Sequence, residues 1–244
     1  MRYKLTLEYD GTPFVGWQAQ NNGISVQEVL EKALLTCTKE KTLVYGTGRT
    51  DAGVHALDYV AHIDLEAEVE PLKLRASLNA LVRPYPVAIK SIERVSDDFH
   101  ARFSAKQRSY IYQIQNTRWP AVLNVNRVWQ YGLSLDVEKM EQAAQLLVGK
   151  HDFSTFRDSQ CQAKSPIKTL DEIHLWREKD MIYMRVSARS FLHHQVRNII
   201  GTLTLVGEGK WTLDDFRQAL EACDRTKGGP TAPAAGLYFE KVIY

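Results

Sequence analysis

The succession of hydrophobic periodicities constrains the fold of this chain more than any other feature. Residues 3–9 alternate apolar and polar side chains, which predicts a strand closed by Asp10-Gly11. Ser25-Val26-Gln27-Glu28 reads as a capping box, followed at helical spacing by Val26, Val29, Leu30, Ala33, Leu34 and Cys37. Strands are predicted over 42–45 and 57–65. A helix follows over 71–82 with Leu72, Ala76, Leu78 and Val82 facing inward, then a strand over 87–95. This β, α, β, β, α, β order is the ferredoxin-like arrangement, in which two helices cover one face of an antiparallel sheet.

A second copy of the pattern follows. Strands are predicted over 109–115 and 128–132, and Asp136 caps a helix carrying Met140, Ala143, Ala144 and Leu147 that ends near Gly149. A hairpin joins 172–177 to 181–188. Helices are predicted over 192–206 and after Thr212, and the last strand over 237–243. The expected fold class is therefore α+β, with two ferredoxin-like halves, 1–105 and 106–244, and a central cleft between them. Residues 151–169 lack periodicity and read as an ordered loop over that cleft. Residues 227–236, rich in Gly, Pro and Ala, read as flexible by composition.

At 244 residues the chain can bury a sizeable core. No apolar run approaches a membrane span and Met1-Arg2-Tyr3-Lys4 leads straight into a strand pattern, so the expected location is the cytoplasm, without membrane attachment. Three widely separated cysteines, Cys37, Cys161 and Cys223, argue against a disulfide framework or a cysteine zinc site. Charge distribution says more than the net charge of +2. Residues 99–135 contain no acid but hold Arg102, Lys106, Arg108, Arg118 and Arg127 among Tyr110, Tyr112, Trp119, Trp129 and Tyr131; residues 181–207 are also free of acids and carry Arg185, Arg189 and Arg197. Basic stretches with aromatics suit a polyanion with stackable bases, although aromatics are also the usual strand formers.

The segment Gly46-Thr47-Gly48-Arg49-Thr50-Asp51-Ala52-Gly53-Val54-His55-Ala56 places an acid and a guanidinium in a glycine-hinged loop between two strands. Alone, Thr-Asp-Ala-Gly could equally be a simple turn. Phosphate-loop readings fail: Asp51 stands where a third glycine would be needed, and Gly207-Glu208-Gly209-Lys210 lacks the remaining Walker residues. Metal spacing is weak. His55 and His62 lie on opposite faces of a strand unless a bulge intervenes, and His193 and His194 diverge on a helix. An ordinary aspartate titrates near ~3.9, so Asp51 is suited to act as nucleophile or base. Helical projection puts Arg197 at the edge of the stripe formed by Leu192, Val196, Ile199, Ile200 and Leu203. There it either leans onto an acid or extends to solvent or phosphate.

Gly48-Arg49-Thr50-Asp51-Ala52-Gly53-Val54-His55-Ala56 resembles the signature of the tRNA pseudouridine synthase A family. The resemblance continues in order through Tyr9-Asp10-Gly11, Gly16-Trp17-Gln18, Ser25-Val26-Gln27, the run from Asp98 to Ala105, Arg108-Ser109-Tyr110-x-Tyr112, His151-Asp152-Phe153-x-x-Phe156, the run from Ser190 to Asn198, and Gly236-Leu237-Tyr238. It implies the pseudouridine synthase fold, two ferredoxin-like halves joined in one extended, mostly antiparallel sheet, as a homodimer. It implies isomerisation of uridine to pseudouridine at positions 38, 39 and 40 of the tRNA anticodon arm, with no metal and no cofactor. Asp51 is then the catalytic residue, Tyr110 stacks on the target base and Arg197 pairs with Asp51. Arg49, Arg108, Lys106 and His55, together with Tyr110, are the implied RNA-binding residues. A catalytically silent RNA-binding protein with the same two units is the competing expectation.

Overall fold

The computed structural model describes residues 1–244. In chain order its elements are β1 (Arg2–Tyr9), α1 (Val26–Thr38), β2 (Tyr45–Gly46), β3 (His55–Asp64), α2 (Pro71–Leu81), β4 (Val87–Arg94), β5 (Gln107–Gln115), β6 (Trp129–Gln130), α3 (Val137–Gln145), β7 (Gly149–Asp152), β8 (Ile167–Glu178), β9 (Met181–Ala188), α4 (Gln195–Gly207), α5 (Leu213–Glu221) and β10 (Leu237–Ile243). The class is α+β with mostly antiparallel pairing. No helix is long and apolar enough to cross a membrane. The chain divides into two compact units, Met1–Lys106 with Tyr238–Tyr244, and Gln107–Leu237. The chain end therefore groups with the first unit rather than with the residues preceding it.

In the first unit the strand order is β4-β1-β3, with β2 and β10 both on the far edge of β3. β2 pairs antiparallel with β3 at His62 and Ala61, whereas β10 pairs parallel at His55 and Ala56. Tyr3, Leu5, Leu7 and Tyr9 alternate inward along β1 and are buried. Ser25 caps α1 by accepting from the Glu28 amide at 3.1 Å, but the Glu28 carboxylate holds Lys32 instead of closing a capping box. In α2 the inward positions are Leu74, Leu78 and Val82, while the expected Leu72 is 64% exposed and Ala76 is also exposed. The Glu70 side chain caps the helix by accepting from the Leu72 amide, and the buried face runs through Leu74, Leu78 and Val82 at spacing i, i+4, i+8.

A bulge changes the reading of β3. Leu7 pairs with Tyr59 but Tyr9 with Ala56, so β3 carries an extra residue between them. The bulge resets the side-chain alternation and puts His55 and His62 on the same face, opposite Tyr59 and Ala61. They stay near opposite ends of the strand, each in its own surroundings.

In the second unit the strand order is β5-β9-β8-β7, with β6 alongside β5. The expected loop over 151–169 is partly regular. His151 and Asp152 end β7, residues 154–156 form a turn of 3-10 helix, and β8 starts at Ile167. Four residues of mixed polarity show no alternation in sequence; β7 exists because β8 supplies its partner groups. α4 begins at Gln195, with His194 at φ 59° before it. The two adjacent histidines thus precede the helix, and their rings lie 3.9 Å apart instead of diverging. Thr212 and Asp215 form a complete capping box on α5.

Candidate active site

The Asp51 loop is fastened to the first unit chiefly through backbone. Thr47 N–H donates to Val60 O at 2.9 Å, Gly48 N–H donates to the Tyr59 hydroxyl, and that hydroxyl donates a short bond to Gly48 O. From the other side, Trp17 N–H donates to Thr50 O at 3.1 Å, and Gly16 bridges Asp51. Gly16 has φ +115°, and a Cβ on it would lie 2.5 Å from Thr50 O. This close approach explains why Tyr9-Asp10-Gly11 and Gly16-Trp17 accompany the acid loop in the sequence. The Tyr9 and Thr50 hydroxyls bond at 2.9 Å inside the core, and the rings of Trp17 and Tyr59 meet at 4.1 Å.

Asp51 itself is half-buried, and Arg49 is exposed on the same loop. Val54 N–H closes the turn onto Asp51 O at 3.2 Å, with Gly53 at φ 77°. His55 is only 2% exposed. Its Nδ1 accepts the Gly11 N–H at 3.0 Å and lies 3.2 Å from Asp10 Oδ1, and its ring stacks on Tyr238 at 4.6 Å. That imidazole braces the junction between loop and strand. The result is a carboxylate held at a fixed point by a frame that is itself buried.

The second unit carries Tyr110, Arg108 and Arg197. Tyr110 on β5 is half-buried, with Phe191 edge-on at 5.1 Å and 87°. Arg108, two residues earlier, is buried and donates to Arg189 O at 2.6 Å. Tyr112 is fully buried, donates to Pro233 O at 2.7 Å, and its hydroxyl is pushed well above the ordinary phenol range by that burial. Lys106 is exposed and belongs to the first unit. Arg197 is half-buried on the first turn of α4, and its Nε donates to Ala232 O at 2.8 Å while Ala232 N–H returns a bond to Arg197 O.

That exchange overturns the expected flexibility of 227–236. Gly201 and Gly229 let this segment lie directly on α4: a Cβ on Gly201 would stand 1.9 Å from Pro230 O, and one on Gly229 2.7 Å from Thr202 Cα. Asn198, buried in α4, donates to Phe156 O and accepts from Thr231 and Arg225. Next to it, Asp158 accepts from the Gln160 amide and lies 2.8 Å from His194 Nδ1. Burial opposes its ionisation, yet these hydrogen bonds hold its carboxyl below the ordinary range.

The sequence model of the tRNA pseudouridine synthase family matches residues 6–104 and 143–244. The chain belongs to this family. It is 56% identical over 243 residues to tRNA pseudouridine synthase A of Rhodospirillum centenum, covering 100% of this chain and 99% of that one. Identity to the proteins of the same name from Afipia carboxidovorans and Rhodospirillum rubrum is 54% and 52%, with 100% of this chain covered and 99% and 88% of theirs. The matched family residues include Asp51, Arg49, His55 and Arg197 but leave out Lys106, Arg108 and Tyr110.

Chemically, the loop offers one half-buried carboxylate and one exposed guanidinium, and the second unit offers an aromatic face and a cation on braced elements. Reading residues singly misses Tyr9, Trp17, Tyr59 and Phe191, which frame the loop and back the Tyr110 ring. The spacing of Gly11 and Gly16 is the signal that could have found the frame, because each lies against the loop backbone. A Cβ on Gly11 would be 2.1 Å from Val54 O.

Proposed function

We propose that this protein isomerises uridine to pseudouridine at positions 38, 39 and 40 of the tRNA anticodon arm, with Asp51 as the reacting group. Membership of the family makes it an isomerase acting on tRNA uridine. The observation that carries the role of Asp51 is its loop, where a carboxylate is displayed by a buried frame that would be elaborate for a plain turn. A uridine within a stem must leave the stack before its glycosidic bond can be reached, at a cost of a few kcal/mol. Tyr110 offers a face on which the extruded base stacks, and Arg197 is the proposed partner of the Asp51 carboxylate. Asp51 either attacks the ribose to form an adduct or abstracts a ribose proton to give a glycal. In both routes the C–N bond breaks, the uracil turns, and a C–C bond forms at its carbon 5, whose proton is released. Arg49, Lys106 and Arg108 serve the RNA backbone, and His55 supports the loop from beneath.

The finer architecture is part of the same reading. In the first unit the order β4-β1-β3-β2, with α1 and α2 as the crossovers, is that of a ferredoxin-like half. β5, α3, β8, β9 and α4 supply the corresponding elements of the second. We read the working form as a cytoplasmic homodimer. Supporting this, the loop after β5 exposes Trp119, Val122, Leu123 and Val125, with Leu133 beside them, at 57–90%. Leu123→Asp should convert the dimer to monomer in sedimentation; an unchanged mass moves the interface elsewhere.

The decisive experiment uses tRNA labelled with tritium at uracil carbon 5. Asp51→Ala is expected to release no tritium while binding tRNA nearly as wild type; full turnover in that variant removes Asp51 from the reacting role. Mapping pseudouridine in tRNA from cells lacking the protein tests the positions.

A further inference from the structure

A row of aromatic rings lies on the face of the first unit opposite Tyr59 and Ala61, beginning at the residue from which the Asp51 loop departs. Tyr45 stacks on His62 at 4.9 Å, His62 meets His100 at 4.6 Å, and His100 meets Phe103 at 4.4 Å. Tyr45 is 43% exposed and Phe103 73%. The Arg102 guanidinium stands 5.7 Å from the Phe103 ring centroid. A lone exposed phenylalanine is unremarkable, but a contiguous row of rings topped by a guanidinium is not a scatter of apolar side chains.

The row is built in advance. His100 Nδ1 accepts from the amides of Arg102 and Phe103 at 3.1 and 3.3 Å, and His100 N–H and O are both bonded to Ser104. His62 Nδ1 accepts from the Ala101 amide at 3.2 Å. Two histidines and a phenylalanine thus sit on backbone contacts, so little freedom remains to be lost on binding. Burial, and then the neighbouring positive charges, push His62 down to about 4 and lower His100 as well, so at neutral pH both are uncharged rings beside Arg102. Of the nearby acids, Asp64 pairs with Arg2 at 2.8 Å and Asp97 accepts the Arg2 amide, while Asp98 is exposed.

Two observations choose the partner. The acid-free stretch from Phe99 onward supplies Arg102 and Lys106, a basic setting for rings. Tyr45 also lies only six residues before Asp51, a span of at most ~20 Å. An RNA chain presenting a nucleotide to Asp51 passes within reach of this row. We propose that Phe103, with Tyr45, His100 and Arg102 around it, is a stacking platform for an unpaired nucleobase of the tRNA outside the reacting position. This rests on the tRNA reading above.

The test compares Phe103→Ala, Phe103→Leu and Phe103→Trp on an anticodon-arm hairpin and on a stem-only duplex, with thermal unfolding as the check on folding. Phe103→Ala should raise Kd and KM for the hairpin roughly five- to a hundredfold, the range one base stacked on a ring supplies, with kcat at saturation unchanged. Because no phosphate contact is lost, the slope of log Kd against log salt should stay as in wild type. Trp should restore binding and Leu should not, and the duplex should bind all variants alike. Wild-type hairpin affinity in Phe103→Ala overturns the proposal, as does equal rescue by Leu or an altered mass with RNA binding intact. A wild-type protein that forms no pseudouridine overturns the parent reading instead, so the two failures are told apart.

Discussion

Two glycine-rich segments look alike in sequence and behave differently in the fold: 46–56, which carries Asp51, and 227–236, which crosses α4. Both are irregular, and both are ordered by glycines that admit backbone at distances no side chain allows. They differ in what the order leaves behind. Around Asp51 the buried partners are rings and hydroxyls of Tyr9, Trp17, Thr50 and Tyr59, and the acid remains half-exposed. Across α4 the contacts are made by Asn198, Thr202 and Arg197 themselves, so polar groups of the helix are consumed in holding the segment down. The first arrangement displays a half-exposed carboxylate, while the second closes part of a core. Glycine content alone does not tell display from closure.

Substituting a glycine that packs against each segment should separate the two. Gly201→Ala forces a methyl into Pro230 O within a core helix and is expected to lower unfolding free energy by about 3 kcal/mol or more in urea titration. Gly16→Ala should cost less stability but nearly all tritium release, because it moves Thr50 and Asp51 locally. Equal stability losses with retained turnover in Gly16→Ala would erase the distinction.

A pH measurement sharpens the comparison from the side of the strand that carries the loop. His62, 1% exposed, has its pKa held near 4 against an ordinary value of 6.5, so protonation favours the unfolded chain. Its contribution is complete above about 6.5 and is lost as pH falls toward 4, by about 3 kcal/mol. Urea unfolding from pH 7 to pH 4 should show this decline, and His62→Asn should flatten it. A variant as acid-sensitive as wild type would assign the decline to other groups.

The smallest effect expected is that of Tyr9→Phe, which removes the hydrogen bond to Thr50 and should cost about 1 kcal/mol. Turnover should fall several-fold, with KM for tRNA unchanged, since the loop is loosened rather than stripped of a contact to RNA. An unaltered kcat would show that the rings alone position Asp51.

Much of the fold was legible because burial leaves a period. β1, α1, β9 and α5 follow their apolar spacing closely, and the caps Ser25, Asp136 and Thr212 stand where the sequence puts them. Motif and family resemblance name Asp51, Tyr110 and Arg197 as candidates. Leu72 misled because Leu72 and Ala76 fit a helical period as well as Leu74 and Leu78 do, and only packing decides which of the two is buried. His193 and His194 misled because the helix was started too early; a left-handed residue at 194 brings the rings together.

By itself, then, the sequence determined which segments are strands and helices, where the acid loop lies, and the family. These follow from local propensity, periodicity and motif, which act over a few residues. Only the tertiary structure decided that β10 runs parallel to β3, that a bulge turns His55 and His62 to one face, that β7 forms, and that 227–236 is pinned to α4. Each of these depends on a partner far away in the chain, and a hydrogen bond or a glycine contact of that kind leaves no period to read.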